Sequence, residues 1–229
     1  MKMSGNIKTI GIVSALNTEI RAFKDVISNI EEKRIGRHLF YLGDYENKKI
    51  IFTDSGVGKV NAAITSQILI NEFKPDFIIN TGIAGGLNEK LSHTDLVVAN
   101  ELTYHDFDSR LLEKYSPYIK SFKAEEKYLE IARMVLENKK YFEGLVITGD
   151  QFITDSSKKE ELINNFNAYC VEMEGAAIAH TAYLNNIPFM VIRCISDLAD
   201  DDGDDDYDDF EIIAADKASK FTLEFIKKL

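Results

Sequence analysis

The sequence predicts an α/β fold, a three-layer αβα sandwich with a central mixed β-sheet. Three observations carry this. The apolar runs Thr9–Ile10–Gly11–Ile12–Val13–Ser14–Ala15, Asp76–Phe77–Ile78–Ile79–Asn80 and Pro188–Phe189–Met190–Val191 have the character of strands buried on both faces. Helical segments lie between such runs, an alternation that covers a sheet on both sides. An early pair of runs, Leu39–Leu42 and Ile50–Thr53 about a Glu46–Asn47 turn, reads as a hairpin and adds antiparallel pairing.

After the first strand, Asn17–Thr18–Glu19–Ile20 opens a helix toward Ile27, with Asn17 or Thr18 as its N-cap. Ser55–Gly56–Val57–Gly58–Lys59 is a tight turn into a helix from Val60 to Phe73, which Pro75 stops. The strand at Asp76–Asn80 ends in a glycine-rich turn, Thr81–Gly82–Ile83–Ala84–Gly85–Gly86. Leu96–Ala99 is a further strand, and Tyr104 to Pro117 is a polar and aromatic connection. From Ala124 to Glu137, apolar residues at Leu129, Ile131, Ala132, Val135 and Leu136 follow a helical period. Gly144–Thr148 is a strand feeding the loop Gly149–Ile153, and Ser157–Lys158–Lys159–Glu160 has the form of a capping box for a helix to Phe166. A strand through Val171, a small-residue helix from Gly175 and the strand ending near Asp197 follow. The last helix is expected from about Asp209. The whole chain, 1–229, reads as one domain without repeats or linkers.

The 229 residues are 45% hydrophobic and carry a net charge of −11, enough apolar content for a sizeable core but no basic face for nucleic acid. No run of about 18 apolar residues suggests a membrane span. The first eight residues show no apolar leader, so the expected location is cytoplasmic. Cys170 and Cys194 sit in apolar runs and are expected to be buried free thiols.

Several motifs point away from familiar chemistries. A Walker A loop would need glycine at Thr53 and Ser or Thr at Val60. The glycines after Asn80 lack the dinucleotide spacing, although they allow close approach of backbone to a ligand. The run Asp200–Asp209 places Leu198 where a calcium loop needs an acid, so a solvated loop is the better reading. The histidines, His38, His93, His105 and His180, are scattered, and no metal site is argued. What remains are carboxylates: Glu19, Glu174 and Asp197 each lie just beyond a buried strand, the edge where α/β sheets collect ligands.

At these residues the chain resembles the 5′-methylthioadenosine/S-adenosylhomocysteine nucleosidases of the nucleoside phosphorylase superfamily. The resemblance runs nearly end to end. It is carried by Gly11–Ala15 with Glu19, Ser55–Val60, Asn80–Leu87, Tyr104–His105–Asp106, Gly149–Ile153, Val171–Glu174 and Arg193–Asp197. It implies a nucleoside phosphorylase-like fold and irreversible hydrolysis of an N-glycosidic bond in 5′-methylthioadenosine, S-adenosylhomocysteine and 5′-deoxyadenosine. Such a reaction serves methionine salvage and clears adenosylmethionine by-products. By motif, Asp197 would protonate adenine N7 and Glu19 would activate water. Glu174 would hold the ribose hydroxyls, with Met173 and Glu172 lining the ribose side. Phe152 would stack on adenine, the Ile153 backbone would read the base edge, and Arg193 would organise the water and acid region. Val57 would meet the alkylthio end, Tyr207 would cap the pocket, and Ser196, Ala84 and Gly85 would complete the substrate site. No cofactor is implied. A homodimer is, with the partner's Tyr104–Tyr115 segment closing the alkylthio side.

Ile83 departs from the family, standing where many members have Ser, and Tyr207 stands where Phe is common. Three alternatives stay open at this point. A purine nucleoside phosphorylase would need a cationic phosphate pocket, and no Arg precedes Glu19. Another purine nucleoside hydrolase is closer. A non-catalytic binding protein is the third, with the net charge opposing polyanionic partners.

Overall fold

The computed structural model describes residues 7–201 and 203–229. The first half of the chain forms β1 (Thr9–Ser14), α1 (Asn17–Val26), β2 (Ser28–Ile35), β3 (His38–Tyr45), β4 (Lys48–Asp54), α2 (Lys59–Phe73), β5 (Phe77–Gly86) and β6 (Leu96–Tyr104). The second half forms α3 (Ser109–Lys114), β7 (Phe122–Lys123), α4 (Glu126–Val135), β8 (Tyr141–Thr148), α5 (Ser156–Phe166), β9 (Cys170–Glu172), α6 (Gly175–Leu184), β10 (Phe189–Asp197) and α7 (Gly203–Lys228).

The strands join in one mixed sheet of order β10-β6-β8-β9-β5-β1-β4-β3-β2, with β7 on β6. The expected fold class holds. Parallel pairs β1–β4, β1–β5 and β5–β10 form its centre. Antiparallel pairing joins β10 to β6 and β5 to β9, while β6, β8 and β9 run parallel. Because β10 pairs with both β5 and β6, the strands β5, β10, β6, β8 and β9 close on themselves. That closure gathers the ends of β5, β9 and β10 at one place.

Alternation along each strand feeds two apolar layers. Ile10, Ile12, Phe77, Ile79, Met190 and Ile192 face α1, α4 and α7, meeting Ile20, Phe23, Leu129 and Phe225. Val13, Ile78 and Val191 face α2 and α6, meeting Leu69, Ile178 and Ala182. Against α2, a Cβ at Gly11 would lie 2.5 Å from Leu69 Cδ2, so a larger residue here would have to displace the Leu69 side chain.

Several expectations are corrected. Thr81–Gly86 is no turn: it continues β5 as buried strand, because β10, and at its end β9, take up its backbone hydrogen bonds. β2 was not foreseen; its sequence is polar and exposed, as suits an edge strand protected by charge. The Tyr104–Pro117 connection contains α3, capped by Asp108, whose side chain accepts from the Arg110 N–H. Neither Asn17 nor Thr18 caps α1; the helix begins after Leu16, and Glu19 reaches back to the Leu16 N–H instead. The cap of α5 is Asp155, accepting from the Lys158 N–H at 2.8 Å, and Ser157 lies inside the helix. α7 begins at Gly203, so most of the acid-rich run expected as loop is helix; Asp202 within it, and the N-terminal residues 1–6, lie outside the described residues. Cys170 and Cys194 are buried and free, as expected. Among the described residues no helix is long and apolar enough to cross a membrane.

Candidate active site

Glu19 stands in the first turn of α1, directly after β1. Its Oε2 accepts the N–H groups of Ala15 (2.8 Å) and Leu16 (3.0 Å), and its Oε1 accepts that of Ile83 on β5 (2.9 Å). The side chain thus ties the end of β1 to β5. Burial pushes its carboxyl above the ordinary glutamate value, and Arg193 and the three N–H groups oppose that rise.

Glu172 and Glu174 bracket Met173 where β9 turns into α6. The Glu172 carboxylate accepts from Thr148 Oγ1, from the Glu174 N–H (2.9 Å), from the Gly175 N–H (2.6 Å) and from Arg193 Nη2. Glu174 Oε1 accepts the Gly58 N–H from the turn before α2, at 2.8 Å, and its Oε2 lies 3.7 Å from Arg193 Nη2. Burial raises the Glu174 carboxyl; Arg193 counters this, and the neighbouring Glu172 adds to it.

Arg193 is 1% exposed, which no isolated guanidinium tolerates. Besides Glu172 it donates to Asn80 Oδ1 (2.6 Å) and to the Ile83 carbonyl (3.2 Å). Further along β10, the register against β5 slips between Ile195 and Asp197, so Ser196 is an extra residue and Asp197 faces Gly85. A bulge of this kind re-aims the side chain that follows it. Asp197 Oδ1 accepts the Ala199 N–H at 2.9 Å and Oδ2 accepts the Ser196 hydroxyl at 2.8 Å. Two glycines of β5 leave room for these groups. A Cβ on Gly82 would lie 2.3 Å from Glu19 Oε1, and one on Gly85 2.8 Å from Asp197 Oδ1.

Glu19, Glu172, Glu174 and Arg193 therefore form one buried ionic cluster, and Asp197 is delivered to the same end of the sheet, beside the last residues of β5. Ala84 is buried there between the two glycines. At the rim, the Phe152 ring is 47% exposed and meets Tyr207 edge-on, with centroids 5.4 Å apart and planes at 77°. Ile153 is buried in a small cluster with Leu162, Val171 and Ala199, and Met173 is half-buried. Val57 is exposed in the turn that holds Gly58. At Ile83 the backbone makes both polar contacts, to Glu19 and Arg193, while the side chain packs in the core.

Asn80, Thr148 and the Gly58 N–H belong to this site; the sequence places Asn80 and Gly58 within motifs but assigns neither a role, and Thr148 lies in none. Asn80 also donates to the Val13 carbonyl at 2.9 Å. Its signal was a polar residue closing the apolar run Phe77–Ile79, since a wholly buried amide needs partners.

This architecture is that of a known class: a sequence model of the phosphorylase superfamily matches residues 9–227. Within that class the likeness is narrower. The chain is 38% identical over 227 residues to the 5′-methylthioadenosine/S-adenosylhomocysteine nucleosidase of Staphylococcus carnosus, covering 96% of this chain and 100% of the relative. The nucleosidase of Neisseria meningitidis in complex with methylthio-immucillin-A has a similar structure, with TM-score 0.92 and 34% identity, over 97% of this chain and 100% of that one. The futalosine hydrolase of Helicobacter pylori strain 26695 is also similar, with TM-score 0.91 and 31% identity, over 97% and 99% of the two chains. The chain belongs to the phosphorylase superfamily and, within it, to the 5′-methylthioadenosine/S-adenosylhomocysteine nucleosidase family.

Proposed function

We propose that this chain is an N-glycosyl hydrolase that cleaves 5′-methylthioadenosine and S-adenosylhomocysteine, and also 5′-deoxyadenosine, to adenine and the corresponding sugar. The observation that carries this reading is the burial of Glu19, Glu174 and Asp197 at one end of the sheet, each at most 4% exposed. Adenine leaves poorly as an anion, so a proton must reach N7 as the bond stretches, and Asp197 is the residue we assign to it. The sugar then gains oxocarbenium character, which nearby carboxylates stabilise. Glu174 holds the ribose hydroxyls. Glu19 orients and deprotonates water, a role helped by a carboxyl whose proton affinity burial has increased. Phe152, steadied edge-on by Tyr207, offers its face to adenine, and the Ile153 backbone reads the base edge.

The choice of hydrolysis over phosphorolysis rests on charge. Arg193 is already engaged by Glu172, Asn80 and the Ile83 carbonyl, which leaves it poorly placed to take a phosphate dianion. A different purine nucleoside remains the second reading, favoured by the similarity to futalosine hydrolase. The reading includes one nucleosidase domain and a cytoplasmic location, in keeping with two unpaired buried cysteines. It also includes a homodimer, for which α2 and α6 present exposed Val60, Ile64, Tyr183 and Leu184.

Product analysis with 5′-methylthioadenosine, with and without phosphate, tests the function. Adenine and free methylthioribose at a phosphate-independent rate are expected. Methylthioribose 1-phosphate, formed only with phosphate, would make the chain a phosphorylase. No adenine in either condition would move the assignment to another nucleoside.

A further inference from the structure

Outside the acid cluster, three separate loops meet in one closed ring of polar contacts. Lys59, the first residue of α2, sends its ammonium to both oxygens of Asp106, at 2.6 and 2.7 Å, and lies 3.5 Å from Asp150 Oδ2. Its backbone N–H donates to Asp150 Oδ1 at 2.8 Å. The Asp150 N–H in turn donates to Asp106 Oδ2 at 2.9 Å. The Tyr104 ring lies beneath the ammonium, 5.6 Å from it. The ring thus joins the β4–α2 turn, the loop after β6 and the loop after β8.

Two of the three joined segments lead to a group assigned above to the nucleoside, and the loop after β6 braces them through Asp106. Gly58, immediately before Lys59, donates its N–H to Glu174 Oε1. Phe152 follows Asp150 by two positions. A Cβ on Gly58 would lie 3.1 Å from Asp150 Oδ1, so the turn and the loop are already in close contact. The side chains of Lys59 and Asp106 are about four-fifths shielded from water, at 20% and 23% exposure, which protects their contact from solvent screening.

We propose that Lys59, Asp106 and Asp150 form a positioning clamp that sets the distance between the ribose-binding Glu174 and the purine-stacking Phe152. The clamp touches no reacting atom. Glu19 and Asp197 are held by β1, β5 and β10; the β4–α2 turn meets this frame at Ser55 and Gly56, whose N–H groups donate to the Ser14 and Ala15 carbonyls, three or more residues before Lys59. Loosening it should therefore weaken binding of ground state and transition state alike, raising KM while leaving kcat nearly constant. This inference rests on the nucleosidase reading for its kinetic arm and is independent of it for its structural arm.

The test uses Lys59→Met, which keeps the length and removes the charge, and Lys59→Arg, which restores a cation able to reach Asp106. Hydrogen exchange of the ligand-free protein is read first. In Lys59→Met, amides of 104–107 and 149–153 should exchange faster, while those of β5 and β10 stay unchanged. With 5′-methylthioadenosine, KM should rise about tenfold or more with kcat within about threefold, and Lys59→Arg should recover most of the loss. Unchanged exchange in the two loops would overturn the clamp whatever the kinetics. Faster exchange with an unchanged KM would overturn its positioning role, as would a fall confined to kcat. An inactive wild type would instead count against the nucleosidase reading, and the exchange result would still decide whether the ring holds the loops.

Discussion

The Asp197 carboxyl has a donor on each oxygen, the Ala199 N–H on one and the Ser196 hydroxyl on the other. Asparagine would preserve shape but could not supply the proton asked of this group. Asp197→Asn should lose about 10²- to 10⁴-fold in kcat, with circular dichroism and thermal midpoint unchanged; a rate near wild type would remove Asp197 from the acid role. Glu19 and Glu174 make the pH dependence predictable. Burial raises both above the ordinary value of 4.5 in the folded state. Their contribution to stability is complete below the unfolded-state pKa and is lost as pH rises through the folded-state value. Activity moves the other way, because a base must be ionised. Calorimetry between pH 5 and pH 8 should show Glu174→Gln gaining stability relative to wild type as pH rises. The acid limb of kcat/KM should lie above the ordinary glutamate range and follow Glu19. A Glu174→Gln difference that is flat with pH would contradict the burial argument.

At the scale of elements, β5 and β10 carry the site. β5 stays extended through six residues of turn-like composition because partners on its sides take up its hydrogen bonds. Its glycines serve side chains arriving from elsewhere: Gly82 gives space to Glu19 and Arg193, both pinned by other contacts. A methyl there must displace one of them. Gly82→Ala should cost about 1–3 kcal/mol and reduce turnover at least tenfold. Gly36 provides the contrast, since it has φ +60 with nothing within 4 Å of an added Cβ. Gly36→Ala should lose about 1–2 kcal/mol from backbone strain alone, with kinetics intact. Denaturant melts and initial rates on the two variants separate crowding of the site from strain of the chain. Equal kinetic losses would show that Gly82 has no special relation to the cluster.

For the molecule as a whole, the closed arrangement of β5, β10, β6, β8 and β9 explains how acids far apart in sequence share one end of the sheet. α2 and α6 lie side by side on one face, with Val60, Ile64, Tyr183 and Leu184 exposed. If a second copy covers this face, charges placed there should separate the pair. Ile64→Asp with Leu184→Asp should shift sedimentation from dimer to monomer while the fold persists. A wild-type monomer, or a variant that stays dimeric, would rule this face out as the interface.

The sequence by itself determined the buried strands, the helices between them, the free cysteines and the residue types at the strand ends. These are local properties: apolar periodicity, glycine and proline punctuation and motif spacing are all readable within a few residues. β2 was not legible, because an exposed edge strand has no buried face to write a period. Only the tertiary structure decided that Thr81–Gly86 is strand, that Ser196 is a bulge and that Arg193 binds across to Ile83, 110 residues away. It also decided that Lys59, Asp106 and Asp150 meet. The physical reason is common to all four: a strand's partners, and the donors that satisfy a buried charge, come from distant segments that only the packed sheet brings within hydrogen-bond reach.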